Sequence, residues 1–195
     1  MEKCNQVLDY ASTRPNSTIH YHASNMILMT DTDSDYLILP KSRSWITGCY
    51  YFTNRMLNYS KGNPTPNGPI SKECKIFKTK VSSSAESETG DTFKNAQNII
   101  PLRHILETVY LHQQPTEGSP IVTDNLKYQG ILTCFIKPRK SKTWDMRYHW
   151  LEDRIFQKQI QLIWKRGIYN WSDYFNKHHP PSYNLLMRNI ILCIV

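Results

Sequence analysis

The chain has 195 residues, of which 39% are hydrophobic and 21% are charged, and its formal net charge is +8. This length and composition predict one domain with a single packed core. A mean hydropathy of −0.55 argues against a membrane protein, and residues 1–11 lack the apolar region of a secretion signal. We therefore expect an intracellular protein of the cytoplasm or nucleus, with no membrane partner. Its positive charge favours a polyanionic partner such as nucleic acid.

The cysteines exclude two common classes of small protein. Five of them are scattered along the chain, and no two form a C-x-x-C pair. An odd number without paired spacing indicates neither a disulfide framework nor a structural zinc site.

The first third of the chain has the pattern of strands. Residues 1–24 are polar and predict irregular structure, whereas the apolar runs within 26–39 and 46–53 are rich in Ile and Tyr and predict strands. Residues 58–69 are dense in Gly, Pro and Asn, which predicts a surface loop, and 70–81 supplies the strand that follows it.

From Ala85 the apolar residues take helical spacing, and Pro101 either kinks this helix or starts a second one. The remaining predicted elements are a strand at 120–123, helices at 126–135 and 143–158, a strand at 160–164 and a closing helix at 171–177 that Asn170 would cap. The order indicates an α/β domain at 25–180, preceded by an irregular segment at 1–24 and followed by a C-terminal tail at 181–195, whose end is either a buried strand or frayed.

Four acids lie at or near the ends of these elements: Asp33, Glu88, Asp124 and Asp173. Strand ends in an open α/β sheet face the crevice where ligands bind. Carboxylates that converge there repel one another unless cations neutralise them, and their hard oxygen atoms select Mg²⁺ or Mn²⁺. The set is typical of a two-metal phosphodiesterase. The alternative is that the acids are helix caps and solvated surface charges.

Two of the acids have close neighbours that could replace them. Ser83 and Glu86 have the spacing of a capping box, in which Glu86 bonds back to the Ser83 amide, and Glu88 then points elsewhere. Asp31 and Asp33 lie on the same face of a strand, because side chains alternate with a period of two. The residues themselves leave the choice between these two aspartates open.

Five segments, in this order, resemble the ribonuclease H region of copia-type LTR retrotransposon polyproteins: 26–37, 81–89, 123–125, 144–150 and 171–178. The resemblance covers about residues 20–188. It implies an α/β ribonuclease H-like fold with a mixed five-stranded sheet, in which three antiparallel strands precede alternating helices and strands.

The resemblance also implies the catalytic residues. Asp33, with Asp31 as the alternative, would bridge two Mg²⁺ or Mn²⁺ ions, Glu88 and Asp124 would complete one metal site, and Asp173 would hold the ion that activates water. The order of the acids ends in Asp, whereas an integrase or transposase of the same superfold would end in Glu. Strand transfer is therefore disfavoured.

The chain departs from the family pattern around three of these acids, and the departures predict a drifting copy. The differing residues are Asp35, Thr89, Ser172 and Asn176. Cellular ribonucleases H also carry a histidine ahead of the last aspartate, whereas residues 159–172 contain none. We therefore expect slow turnover.

A basic cluster follows the helix after Asp124 and predicts contacts with phosphates that do not depend on base sequence. The residues assigned to nucleic-acid binding are Lys137, Arg139, Lys140, Lys142, Arg147 and Asn125. The predicted function is hydrolysis of the RNA strand of an RNA:DNA hybrid, with a reverse transcriptase domain of a polyprotein as a candidate partner. The alternatives are a degenerate domain that binds nucleic acid without cleaving it and a structural remnant of a polyprotein.

Overall fold

The computed structural model of the chain describes residues 2–19, 21–56, 67–132, 142–177 and 179–191. Its helices and strands are, in chain order, α1 (Glu2–Thr13), β1 (Ile27–Leu39), β2 (Arg43–Thr53), β3 (Pro69–Phe77), α2 (Ser84–Thr108), β4 (Ser119–Thr123), α3 (Leu126–Leu132), α4 (Lys142–Phe156), β5 (Ile160–Trp164), α5 (Asp173–Asn176) and α6 (Pro181–Ile191). None of the described helices combines the length and the apolar character needed to cross a bilayer.

The strands form one five-stranded sheet in the order β3-β2-β1-β4-β5. The first three strands pair antiparallel, β4 pairs parallel with β1, and β5 pairs parallel with β4. The parallel pairs are reached through α2 and through α3 with α4, as crossover connections require. The predicted mixed sheet, with three antiparallel strands followed by alternating helices and strands, is confirmed.

The central strand β1 is buried on both faces of the sheet. On one face, Leu28 and Tyr50 share a core cluster with Ile99 of α2. On the other face, Met29 and Tyr51 form a second cluster, against which Trp171 and Phe175 pack. Burying side chains of this size contributes roughly 1.5 to 3 kcal/mol each. Because both faces are covered, the polar residues that continue β1 are carried into the interior.

Helix α2 begins where the sequence predicts, and it continues past Pro101, where the sequence left open a second helix. The Ser83 hydroxyl accepts a hydrogen bond from the Glu86 amide at 3.2 Å, but the Glu86 carboxylate accepts from the amide and hydroxyl of Ser82 rather than from the Ser83 amide. The helix continues through Pro101 to Thr108, so a second helix does not start there.

The N-terminal segment differs from prediction, and the predicted end of the C-terminal tail, a buried strand or a frayed end, lies mostly outside the described residues, at 192–195. Residues 2–13 form a helix rather than irregular structure, and its Val7 and Leu8 are largely exposed. The side chains of this helix that the structure describes are all exposed. The described part of the C-terminal segment is also a helix, which begins at Pro181, a residue whose fixed φ suits the first helical position.

The closing helix is shorter than predicted. It spans Asp173–Asn176 and its N-cap is Ser172 rather than Asn170. The Asn170 side chain donates to the carbonyl of Thr32 in β1 at 2.8 Å, and its Oδ1 accepts from both the amide and the hydroxyl of Ser172. Asn170 therefore ties the segment before α5 to the sheet. The division of the chain into a domain at 25–180 and two terminal segments stays a prediction.

Candidate metal centre

Three aspartates from separate elements meet at one end of the sheet. Asp33 lies in β1, Asp124 directly follows β4, and Asp173 begins α5. One carboxylate oxygen from each lies within 4.8 Å of the other two. Asp33 and Asp124 are neighbours because β1 and β4 are parallel and in register, so that Asp124, directly after β4, lies beside Asp33 within β1.

Glu88 borders this group from the other face of the sheet. Its side chain is buried, with 3% of the residue exposed, and its Oε1 accepts a hydrogen bond from the Ser34 hydroxyl at 3.1 Å. Among the described residues, its Oε2 has no hydrogen-bond partner. Burial, with the charges of Asp33 and Asp124, raises the pKa of Glu88 well above its usual value. Glu88 is thus close enough to Asp33 and Asp124 for their charges to act on it, but it is outside the 4.8 Å group of the three aspartates.

The structure places Asp33, and not Asp31, with the other acids. Both carboxylate oxygen atoms of the buried Asp31 accept hydrogen bonds from the protein. Its Oδ1 accepts from the Tyr51 hydroxyl at 2.8 Å, and its Oδ2 accepts from the Trp171 amide at 2.9 Å. Burial raises the pKa of Asp31 to about 7, although these two hydrogen bonds oppose the shift. Asp31 therefore joins β1 to β2 and to the segment before α5.

Burial and mutual repulsion disfavour the charged forms of the remaining acids. Burial and the charge of Asp33 raise the pKa of Asp124 and raise that of Asp173 to about 6. Such an arrangement is stabilised when a cation lies between the carboxylates. Among the described residues the cation that pairs with Asp33 and Asp173 is Lys177.

Three residues of the centre were not singled out from the sequence as parts of it. The Nζ of Lys177 lies 3.1 Å from Asp33 Oδ2 and also bonds Asp173 Oδ1, and the Asn176 amide donates to Asp33 Oδ2 at 2.6 Å. The spacing of Lys177 four residues after Asp173 was a signal for this pair. Burial lowers the pKa of Lys177, but its bonds and charge contacts with Asp173 and Asp33 outweigh burial and raise it.

The third missed residue is Asp91, one turn after Glu88 on α2. It is fully buried; its Oδ1 accepts from the Asn95 amide at 3.0 Å, and its Oδ2 has no hydrogen-bond partner among the described residues. Burial, with the charges of Glu88 and Asp33, raises the pKa of Asp91 well above its usual value. The i, i+3 spacing from Glu88 was the available signal.

The residues predicted to bind nucleic acid are only partly described. Lys137, Arg139 and Lys140 lie outside the described residues, and for Lys142 the structure describes the backbone at the start of α4. The Asn125 side chain accepts from the Tyr128 amide at 3.0 Å and so caps α3.

Arg147, the last residue of that predicted set, borders a groove between β3, α2 and α4. Its Nη2 donates to the Thr79 hydroxyl at 2.9 Å, and its guanidinium lies over the Phe77 ring at 5.0 Å. The groove has a volume of about 480 Å³ and is lined by further basic side chains, together with one acid: Lys75, Lys78, Lys94 and Glu73.

The donor set of the centre fits a hard divalent cation. All four predicted ligands offer carboxylate oxygen atoms, which Mg²⁺ and Mn²⁺ prefer over nitrogen or sulfur. The buried Oε2 of Glu88 lacks a partner in the described part of the protein, and a metal ion at the site would satisfy it.

Comparison with known proteins shows the fold. No protein-family model and no curated protein matches the chain. Solved structures similar to it include the N-terminal RNase H domain of a Mycobacterium tuberculosis protein, fused to maltose-binding protein, with a TM-score of 0.51 and 8% identity over 77% of this chain and 91% of that chain. The chain therefore has a ribonuclease H-like fold.

Two further matches have TM-scores below 0.5. LC11-RNase H1 in complex with an RNA/DNA hybrid has a TM-score of 0.49 and 8% identity over 73% of this chain and 88% of that chain. The protease-reverse transcriptase of prototype foamy virus has a TM-score of 0.41 and 9% identity over 88% of this chain and 21% of that chain.

Proposed function

We propose that this protein is an endonuclease that hydrolyses the RNA strand of RNA:DNA hybrids with two Mg²⁺ or Mn²⁺ ions. The observation that carries the proposal is the convergence of Asp33, Asp124 and Asp173 within 4.8 Å on a ribonuclease H-like sheet. In this proposal Asp33, Glu88 and Asp124 hold one ion, and Asp33 and Asp173 hold the other. When bound, the ions supply an activated water and stabilise the leaving oxygen of a phosphodiester.

The residues around Asp33 hold its carboxylate in place for this role. Its backbone carbonyl accepts from the Thr47 hydroxyl at 2.7 Å, which fixes β1 against β2 at this point. Its Oδ2 accepts from the Asn176 amide, and the same amide lies 3.4 Å from the Thr47 hydroxyl. A carboxylate positioned from two elements loses little conformational freedom when it binds a cation.

The basic groove beside Arg147 supports a nucleic-acid substrate. Lys75, Lys78 and Lys94 line it together with Arg147, and contacts with phosphates through such side chains give binding that weakens steeply with salt. A hybrid is distinguished from double-stranded DNA by its 2′-hydroxyls and backbone shape. We propose that the domain derives from a copia-type polyprotein and that a reverse transcriptase domain is its partner there.

A second candidate function is hybrid binding without cleavage. The observation that favours it is the ion pair of Lys177 with both Asp33 and Asp173, because an ammonium group on these carboxylates opposes an incoming metal ion.

Cleavage of a labelled RNA:DNA hybrid in Mg²⁺ or Mn²⁺ tests the proposal. Asp124→Asn should lower the rate by more than about 100-fold, since even residues that only support metal ligands cost 10- to 100-fold. The matched control is Asp153→Asn, because Asp153 is an exposed acid on α4 that pairs with Arg154. Its rate should equal that of the unmodified chain.

The other outcomes separate the alternatives. Hybrid binding without metal-dependent cleavage would support the binding domain. Neither cleavage nor binding at low salt would support a structural remnant of a polyprotein. Equal cleavage by the unmodified chain and Asp124→Asn would refute the assignment of the metal centre.

A further inference from the structure

The two sides of the acidic centre differ in what already contacts their carboxylates. On one side, Asp33 Oδ2 and Asp173 Oδ1 both pair with Lys177 Nζ. On the other side, no described residue forms a salt bridge with Asp124 or Glu88, and Glu88 Oε2 lacks a hydrogen-bond partner in the described part of the chain.

Lys177 reaches these acids because it directly follows α5. Asp173 begins this four-residue helix and Lys177 directly follows it, so that the two side chains lie on the same face. The neighbouring Asn176 directs its amide to Asp33 Oδ2 at 2.6 Å. Asp33 Oδ2 is thus contacted by two consecutive residues at the end of α5, while 37% of the Lys177 side chain remains exposed to solvent.

We propose that Lys177 is an internal cation that competes with one of the two metal ions. This inference rests on the proposed function and makes the two metal positions unequal. An ion held by Glu88 and Asp124, together with Asp33, would bind without displacing a protein group from Glu88 or Asp124. An ion held by Asp33 and Asp173 binds only when the Lys177 ammonium moves away, because a divalent ion and an ammonium group repel each other strongly on shared oxygen atoms.

The exposed part of Lys177 allows this exchange. Lysine has a flexible four-carbon stem and a strongly hydrated head group, so its ammonium can move into solvent without unfolding α5. Without metal, the same ammonium partly neutralises two crowded carboxylates and ties α5 to β1. Lys177 is therefore a positioning residue that sets the affinity of the second ion.

Calorimetric titration of the full chain with Mn²⁺ tests this directly, without any substrate. The unmodified chain should bind one ion tightly and a second at least about tenfold more weakly. Lys177→Met keeps the apolar stem and removes the charge, so the second ion should bind about 10- to 100-fold more tightly. Lys177→Arg keeps the charge and should retain the weak second site.

Two further variants separate competition from a general effect of charge. Lys158→Met removes an exposed lysine in the turn after α4 and should leave both affinities unchanged. In Asp173→Asn the second site is lost, so adding Lys177→Met to it should change nothing, as a double-mutant cycle requires for coupled residues. Thermal unfolding in EDTA checks that every variant is folded.

The possible failures are distinct. If the unmodified chain and Lys177→Met bind two ions with the same pair of affinities, the metal centre stands and the competition by Lys177 is refuted. If Lys177→Met binds the second ion more weakly, Lys177 supports the site rather than competing for it, and the inference is also refuted. If no folded variant binds Mn²⁺, the proposed function fails together with it.

Discussion

Replacing Glu88 with Gln should stabilise the metal-free protein at alkaline pH and remove most of the stabilisation that metal ions give. The substitution is nearly isosteric. Oε1 can still accept from the Ser34 hydroxyl, and the amide replaces an Oε2 that has no hydrogen-bond partner among the described residues. The new amide can also donate toward Asp33 or Asp124, whose charges act on Glu88.

The sign of the pH dependence follows from the direction of the pKa shift. Burial, with the charges of Asp33 and Asp124, raises the pKa of Glu88 in the folded state. The unfolded chain therefore ionises first as the pH rises, and the folded state loses stability from about pH 4.3 upward until Glu88 itself ionises. Glu88→Gln abolishes this loss, so its advantage should be near zero at pH 4 and largest at pH 8.

The size of the effect follows from burial. An ion buried in a protein costs several kcal/mol after relaxation, so a gain of about 2 kcal/mol at pH 8 is a conservative expectation. For a chain of this length, 1 kcal/mol moves the melting temperature by roughly 2 to 4 °C, which predicts a rise of about 4 to 8 °C in EDTA. Saturating Mn²⁺ should stabilise the unmodified chain by about 2.7 kcal/mol at a hundredfold excess over Kd and the variant by much less.

Thermal unfolding in EDTA and in Mn²⁺, at pH 5 and pH 8, measures both effects. The matched control is Glu86→Gln on the same helix, whose carboxylate accepts from the amide and hydroxyl of Ser82 at 2.7 Å. It should lose about 1 kcal/mol at the helix start and keep the full metal response. A Glu88→Gln variant that is less stable than the unmodified chain in EDTA at pH 8, yet equally stabilised by Mn²⁺, would refute the reasoning.

Three further substitutions probe the interior around the centre. Tyr51→Phe removes the hydrogen bond to Asp31, and burial raises the pKa of Asp31 to about 7. Because the Tyr51 hydroxyl stabilises the charged form of Asp31, the free energy of unfolding in urea should fall by about 1 to 3 kcal/mol at pH 8 and by less at pH 5. Equal losses at the two pH values would contradict this role. Gly48→Ala would place a Cβ 1.8 Å from Asn95 Oδ1, so we expect the free energy of unfolding, measured in urea, to fall by about 1 to 3 kcal/mol. An unchanged free energy of unfolding would show that Asn95 can move away from the new methyl group. Ser83→Ala removes the N-cap of α2 and should cost about 1 kcal/mol in urea unfolding, while no loss would mean that Ser83 does not stabilise the helix start.

Local patterns in the sequence were sufficient for most of the sheet and for the start of α2. Strands β1, β2, β4 and β5 contain short runs of apolar or aromatic residues that are largely buried, and such runs are visible without knowing their partners. The helices at the two ends of the chain were not predicted, and most of their described side chains are exposed. The described side chains of α1 are all exposed, and α6 contacts the N-terminal segment through Arg188, which lies against Ser17 and Tyr10.

The sequence by itself shows the order of the four acids, Asp, Glu, Asp and Asp, and the predicted elements in or beside which they lie. It separated Glu88 from Glu86 through a helix cap, because capping depends on residues three apart. Asp31 and Asp33 lie on one face of β1, and only the tertiary structure shows that Asp33 lies beside Asp124 and Asp173, whereas Asp31 accepts hydrogen bonds from Tyr51 and Trp171. The tertiary structure also brought Lys177 onto Asp33, more than a hundred residues away in sequence. Periodicity fixes the direction of a side chain, whereas its partner depends on how distant segments pack.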